Sequence, residues 1–465
     1  MRAPAAFVLA LVTAGCGASR SDLEERALAP LGKRAEAFDA GADGLEGLER
    51  ESYYWLLWRS ARRHAVDGSQ ADVVDVTAIG PGFLRRRVEQ AREARRWPWA
   101  PVDQDAWLRG VLMYRVATEE LSDWHAEFAA DRQVRSDLEA LAAGWDADRE
   151  GTLRAVIHRL NSGVVAARTA PRQRGLPDMS PGDCLAEGGG RQTDLAIASI
   201  CLLRTWGVPA ILLRAPVLAG EPGGDVWIGI LGTDWWIRPG DDAPLDDAYF
   251  RYRRSGPLLP KVFACADRNE FGHLLAARNS LSFKTAYNFI LIPAADLTGT
   301  LPGTARVVLP AEWKSPVFLS TWSAGGWLEV APGIPDGRGA TDFGPCTAAD
   351  LLYMPTVPGP RGIPAPAGDP FLLAPDGTRT LLTPRDGAVS WEWNPPADAP
   401  AARPHLWKDA VWVPCVVEPV DGKSTARGAP GALYLVIRPG PENGGIGKFF
   451  GRPFTLDPDG RHIPH

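Results

Sequence analysis

Apolar positions change their spacing twice along the chain, and each change marks a different kind of structure. From 21 to 165 they recur three and four residues apart. Trp107, Val111, Tyr114, Leu121 and Trp124 recur at spacings of three, four and seven, and Leu153, Val156, Ile157 and Leu160 mark another helix. Residues so placed share one helix face, so the region is predicted to be helical. One amphipathic helix is expected over 107–124, behind the turn Arg96-Trp97-Pro98-Trp99. A loop over 171–181 follows. Residues 192–206 are apolar nearly all round and stop at Gly207-Val208-Pro209. Glycine closes a helix and proline blocks its continuation, which predicts a helix buried at the centre of a domain. The runs 210–213, 226–231 and 235–237 are short, apolar and strand-like.

The last third changes again. Residues 293–465 hold 27 of the 42 prolines, which excludes long helices there and predicts strands and turns. This stretch also repeats itself. Gly368-Asp369-Pro370-Phe371 with Pro375-Asp376-Gly377 returns as Gly451-Arg452-Pro453-Phe454 with Pro458-Asp459-Gly460. Trp322 and Trp327 return as Trp407 and Trp412, and Leu352-Tyr353 as Leu433-Tyr434. The offsets of 83, 85 and 81 residues fit one module duplicated with small loop changes. Two tandem β-sandwich-like modules are expected, with Trp327 and Trp412 filling their two small cores.

Composition narrows the function classes. The chain has 465 residues, 45% apolar and 23% charged, with a net charge of -6. It can bury sizeable cores, and no basic run suggests nucleic acid as a partner. Phosphate-loop, dinucleotide, HExxH and calcium-loop patterns do not occur, and no C-x-x-C pair supports a zinc site. No cofactor and no metal are expected. Glu119-Glu120 and Arg85-Arg86-Arg87 read as charged helix faces.

Met1-Arg2 precedes an apolar run over 5–14 that is too short to span a bilayer and has the length of an export signal. It ends in Leu11-Val12-Thr13-Ala14-Gly15-Cys16, and small residues before a cysteine resemble the lipobox of bacterial lipoproteins. The resemblance implies lipid on Cys16 and an exported chain tethered to a bacterial membrane, with the outer membrane or periplasm as its place. The lipid anchor would be its only contact with the membrane.

The segment Gly190-Arg191-Gln192-Thr193-Asp194, followed by Leu203-Arg204-Thr205-Trp206-Gly207-Val208-Pro209-Ala210, resembles the transglutaminase-like family. In that family a glycine precedes a nucleophilic cysteine that opens a buried helix. An aspartate follows two residues later, and the helix ends in an LRxxGIPA motif. The resemblance extends over about 30–385 and implies a papain-like core of helix against antiparallel sheet. A cysteine at a helix N-terminus gains thiolate character, a histidine on a neighbouring strand takes its proton, and an aspartate orients the histidine. This sequence departs from that plan twice. Gln192 stands at the cysteine position, and Asp225 stands where the family's strand histidine belongs; the third position falls near Asp241 or Asp242. Cys184, in Gly182-Asp183-Cys184, is the alternative nucleophile, but no histidine occurs between His158 and His273.

The expectation is therefore an α+β multidomain chain. It comprises a signal peptide (1–15), a helical region (16–175), a transglutaminase-like core (176–292) and two β modules (293–398 and 399–465). Its expected function is non-catalytic binding of a glycan, a peptide or an envelope protein, with Trp227, Trp235 and Trp236 as ligand contacts. The alternatives are an active cysteine transglutaminase or peptidase using Cys184, and a purely structural envelope protein.

Overall fold

The computed structural model describes residues 20–60, 64–66, 72–117, 119–165, 168–169, 178–215, 225–233, 235–239, 263–266, 290–293, 304–311, 313, 317–323, 326–348, 350–359, 364–409, 411–438 and 449–465. Its architecture is mixed α+β, helical first and β-rich last. Helices Arg20–Leu28, Gly47–Ser60 and Pro81–Ala94 and the short helix Gln104–Trp107 build a first core around Tyr53, Leu56, Leu84, Val88 and Val111. A strand pair, β1 (His64–Val66) with β2 (Asp72–Val74), lies between them in sequence. A second core gathers around the helix Gln192–Thr205, where Ala196, Ile200 and Leu203 are fully buried. The helices Trp124–Ala129, Arg132–Ala142 and Arg149–Val165 contribute Trp124, Leu138, Val156 and Ile157 to that second core. This second core draws on residues from both sides of 175, Trp99 and Val116 before it and the central helix after it.

The amphipathic helix expected over 107–124 is not continuous. A π turn, Leu108–Leu112, follows Gln104–Trp107, the chain leaves helical geometry at Met113, and a new helix starts at Trp124. The buried carboxylate of Glu119 accounts for the break: it accepts the backbone N–H groups of Val116 (2.7 Å) and Ala117 (2.6 Å), which a helix would have used internally. Glu119 and Arg87 are both buried, so neither belongs to the solvated face expected of it. Arg87 instead donates to the carbonyls of Val111 and Leu112.

Strands β3 (Arg168–Thr169) and β4 (Gly189–Gly190) pair beside the start of the central helix. The helix itself packs against an antiparallel sheet of β5 (Ala210–Ala215), β6 (Asp225–Ile230), β7 (Trp236–Ile237), β8 (Phe263–Ala266) and β9 (Ile290–Pro293), ordered β7-β6-β5-β8-β9. Gly207 is the reason the helix ends where it does. Its φ of 83° lets its N–H reach Arg204 O and lets the Val208 N–H reach Leu203 O, closing both orphan carbonyls. A Cβ there would also stand 2.5 Å from Ala94 O.

The β region is two copies of one topology. The first copy pairs β10 (Thr304–Leu309), β13 (Ile334–Pro335) and β14 (Thr341–Thr347) in one sheet. Its second sheet holds β11 (Phe318–Ser323), β12 (Gly326–Pro332), β15 (Leu351–Pro358), β17 (Phe371–Leu373) and β18 (Arg379–Leu381), ordered β12-β11-β15-β17-β18, with β16 (Pro364–Pro366) on β15. The second copy has β19 (Val389–Glu392), β22 (Val416–Val420) and β23 (Lys423–Gly428) in its smaller sheet. Its larger sheet holds β20 (Arg403–Lys408), β21 (Val411–Pro414), β24 (Tyr434–Ile437), β25 (Phe449–Leu456) and β26 (His462–Pro464), ordered β21-β20-β24-β25-β26. The sequence repeat coincides with the pairing. Trp322 lies opposite Trp327 and Trp407 opposite Trp412, while Tyr353 lies opposite Phe371 and Tyr434 opposite Phe454. Because β19 pairs within the second copy, that copy begins near 389 and not at 399.

The repeated tryptophans do not fill the two module cores. Each module closes its own core with the inward face of its larger sheet, Tyr353 and Phe371 in one and Tyr434 and Phe454 in the other. Trp322, Trp327, Leu352 and Met354 lie on the outward face of the first. They form a single buried cluster with Trp407, Leu433, Leu435 and Ile437 of the second. The two large sheets therefore meet back to back, through equivalent faces.

Candidate functional site

The head of the central helix brings Gln192 and Asp225 together. Gln192 is its first residue, and its amide Nε2 donates to Asp225 Oδ1 at 3.0 Å, across to the start of β6. Asp225 is buried, and the same oxygen accepts its neighbour's N–H, Val226 N, at 2.9 Å. The carboxylate thus rests between two N–H donors at the positive end of a helix, a placement that suits a fixed negative charge. Neither partner offers a thiolate or an imidazole: an amide has two N–H donors and a carbonyl acceptor but no group that titrates or attacks near pH 7.

The support beneath this pair is made by Asp194, two residues on. Asp194 Oδ2 accepts Arg191 N at 2.8 Å, reaching back over the first turn, and Oδ1 accepts Met179 N at 2.9 Å. Arg191 adds its guanidinium to both oxygens (3.1 Å each) and bonds Asp178 Oδ1 at 2.8 Å. Burial alone would raise the Asp194 carboxyl. The Arg191 bond, then the Met179 N–H, outweigh it and hold the group below its ordinary value. Stability from this aspartate is therefore present above the ordinary carboxylate pKa and is lost as pH falls through the lower folded value. Asp194→Asn should cost about 1.5–3 kcal/mol at pH 7, the range for a hydrogen bond to a charged group. Urea unfolding at pH 7 and near pH 3 checks this; an equal deficit at both would contradict it.

The far end of the helix is structural. Arg204 is buried and donates to the carbonyls of Ala210 (3.0 Å), Met113 (3.0 Å) and Arg115 (2.8 Å). Trp99 Nε1 donates to Trp206 O at 2.7 Å, and its ring stacks on Trp97 at 5.0 Å. The motif Leu203–Pro209 thus ties together the two cores, a role its sequence did not reveal.

The other site residues divide by burial. Cys184 lies in the short helix Pro181–Ala186, fully buried and beside Gly190, where a Cβ would meet its Sγ at 3.2 Å. The loop expected over 171–181 therefore ends in a helix start, its earlier residues lying outside the described ones. His158 is exposed on its helix. Trp227 and Trp236 are each 0% exposed and 5.7 Å apart. They have no surface to offer a ligand, because both sit in strands covered on both faces. Trp235 is half-buried, and the Arg154 guanidinium lies 4.3 Å from its ring centre. Asp241, Asp242, His273 and Cys16 lie outside the described residues. Among the described residues no group of three metal-ligating side chains comes together, and no helix is long and apolar enough to cross a membrane.

What fold and site define is a helical region joined to a helix-on-sheet α+β core and a duplicated β region, with an amide–carboxylate pair at the head of the buried helix. No family model matches the chain, and neither the curated proteins nor the solved structures searched gave a match.

Proposed function

We propose that this chain is a non-catalytic, transglutaminase-like lipoprotein of the bacterial cell envelope, with a papain-like core whose old cleft binds a glycan, a peptide or an envelope protein. The observation that carries this reading is the Gln192–Asp225 hydrogen bond of 3.0 Å at the helix head. Under the resemblance, these two side chains occupy the positions of nucleophile and base. Joined to each other, they form a polar pair that binds without reacting: the Gln192 amide has a carbonyl and a second N–H besides the one it gives to Asp225. Loss of nucleophile and base removes nearly all rate advantage of such a site, while binding contacts persist.

The burial of Cys184 argues against its use as a substitute nucleophile, since a reactive cysteine needs partial exposure and an electropositive surrounding. Incubating the purified chain with a glutamine-donor peptide and an amine, or with a protein substrate, should give neither transamidation nor cleavage by mass spectrometry. Product that disappears in Cys184→Ala would overturn the reading in favour of the cysteine enzyme. Peptide and glycan arrays should show ligands whose capture falls in Asp225→Ala. Arrays on which wild type and variant behave alike would favour a structural envelope protein.

The lipid anchor is tested separately. Expressed in a bacterial host, the chain should fractionate with membranes, and Cys16→Ser should move it to the soluble fraction. Unchanged fractionation would refute lipidation at this residue.

A further inference from the structure

We propose that the helical region carries a small-molecule pocket of its own, shaped and charged for an apolar amino acid held as its zwitterion. A cavity of about 490 Å³ opens between the helices Gly47–Ser60 and Pro81–Ala94 and the π turn Leu108–Leu112. That size lies within the range of small-molecule sites. Its floor is apolar: Trp107, Leu112 and Val88 are all buried and all line it.

The mouth carries charge of both signs. Arg92 and Glu49 already satisfy each other at 3.3 Å. Arg95 and Glu46 also line the cavity, and among the described residues neither has an ion-pair partner. The Arg95 guanidinium lies instead 5.0 Å from the ring centre of Trp107, a position that leaves its N–H edge open. A neutral apolar ligand would desolvate both charges without pairing either, and a simple anion would meet the Glu46 carboxylate. A molecule with a carboxylate, an ammonium and an apolar body matches every feature. The carboxylate pairs with Arg95, the ammonium with Glu46, and the side chain enters the well against Trp107.

The π turn gives the floor its position. Trp107 precedes it and Leu112 is its last residue, and π turns concentrate at functional sites because they displace side chains from regular helical directions. On its other side Gly110 presses on Pro209, so closely that a Cβ would stand 2.7 Å from the proline Cβ. The floor is thereby braced against the loop that follows the central helix.

The test uses the full chain, isothermal calorimetry and L-phenylalanine as the probe. Saturable binding is expected, with affinity lowered about tenfold or more in Arg95→Gln and in Glu46→Gln. Both side chains are exposed, so neither change threatens the fold. Phenethylamine, which lacks the carboxylate, and N-acetyl-L-phenylalanine, which lacks the ammonium, should each bind about tenfold more weakly or worse. Glycine should give no measurable heat. Absence of phenylalanine binding at millimolar concentration, equal affinity in the two variants, or equal affinity for either truncated probe would overturn the proposal.

Discussion

Trp407→Ala should lower the stability of the β region by about 3–5 kcal/mol, the cost of emptying a fully buried tryptophan site. Trp407 is 0% exposed, packs edge-to-face on Trp412 at 5.1 Å, and donates its indole N–H to Asp369 of the other module at 3.2 Å. Its loss opens the cluster between the modules and leaves both cores intact. Hydrogen exchange along a urea series should therefore show early opening of β11, β15, β20 and β24, with the helix Gln192–Thr205 unaffected. Trp412 is only partly buried, and its alanine variant should cost less than half as much. A deficit below about 1 kcal/mol for Trp407→Ala would mean that the sheets are not held together here.

The second large effect depends on pH. Glu329 lies in β12 opposite Ser320, 2% exposed, with Oε2 lacking a hydrogen-bond partner among the described residues. Burial pushes its carboxyl up to about 7. The unfolded chain ionises this group near the usual 4.5, whereas the folded chain keeps the proton until about 7. The folded state thus binds the extra proton between those values, and stability falls as pH rises through that window. The full loss amounts to ~3 kcal/mol and is complete by about pH 8. Glu329→Gln should flatten the decline and leave the variant more stable than the wild type at pH 8 by about 2–3 kcal/mol. Urea midpoints at pH 5, 6.5 and 8 decide it; parallel profiles for the two proteins would count against an uncompensated buried carboxyl.

The sequence was most informative where local chemistry and packing agree. The run 192–206 is apolar all round and ends in Gly207, and it is the central helix with that glycine as its stop. The Pro-Asp-Gly turns and paired tryptophans marked a duplication whose strand order repeats in the structure. The pairing of Gln192 with Asp225 was legible in the sequence reading, which set Gln192 at the head of the helix and Asp225 on a neighbouring strand, and the two side chains meet. The failures have physical causes too. Spacing placed Trp107 to Trp124 on one helix face, yet Glu119 captures the N–H groups of Val116 and Ala117, and the same apolar residues divide between two cores. Period-2 alternation assigns Trp322 and Trp407 to one side of a strand. It cannot distinguish a module's own core from a face covered by its twin. Arg87 and Glu119 looked solvated because charge is read from sequence one residue at a time, whereas their partners are backbone groups on other segments.

The back-to-back contact between the modules has a consequence for assembly. Two copies joined through the same surface have the arrangement of a two-fold dimer, here carried on a single chain. Such a contact is self-complementary and closed: each copy spends its adhesive face on the other, and none remains to recruit a third. A chain of head-to-tail modules could lengthen indefinitely, whereas this one is complete at two. Covalent tethering also makes the encounter intramolecular, at an effective concentration in the millimolar range for a short connection. The pair can therefore stay closed at any dilution, and its mutual surface is released from the demands of a free-standing dimer.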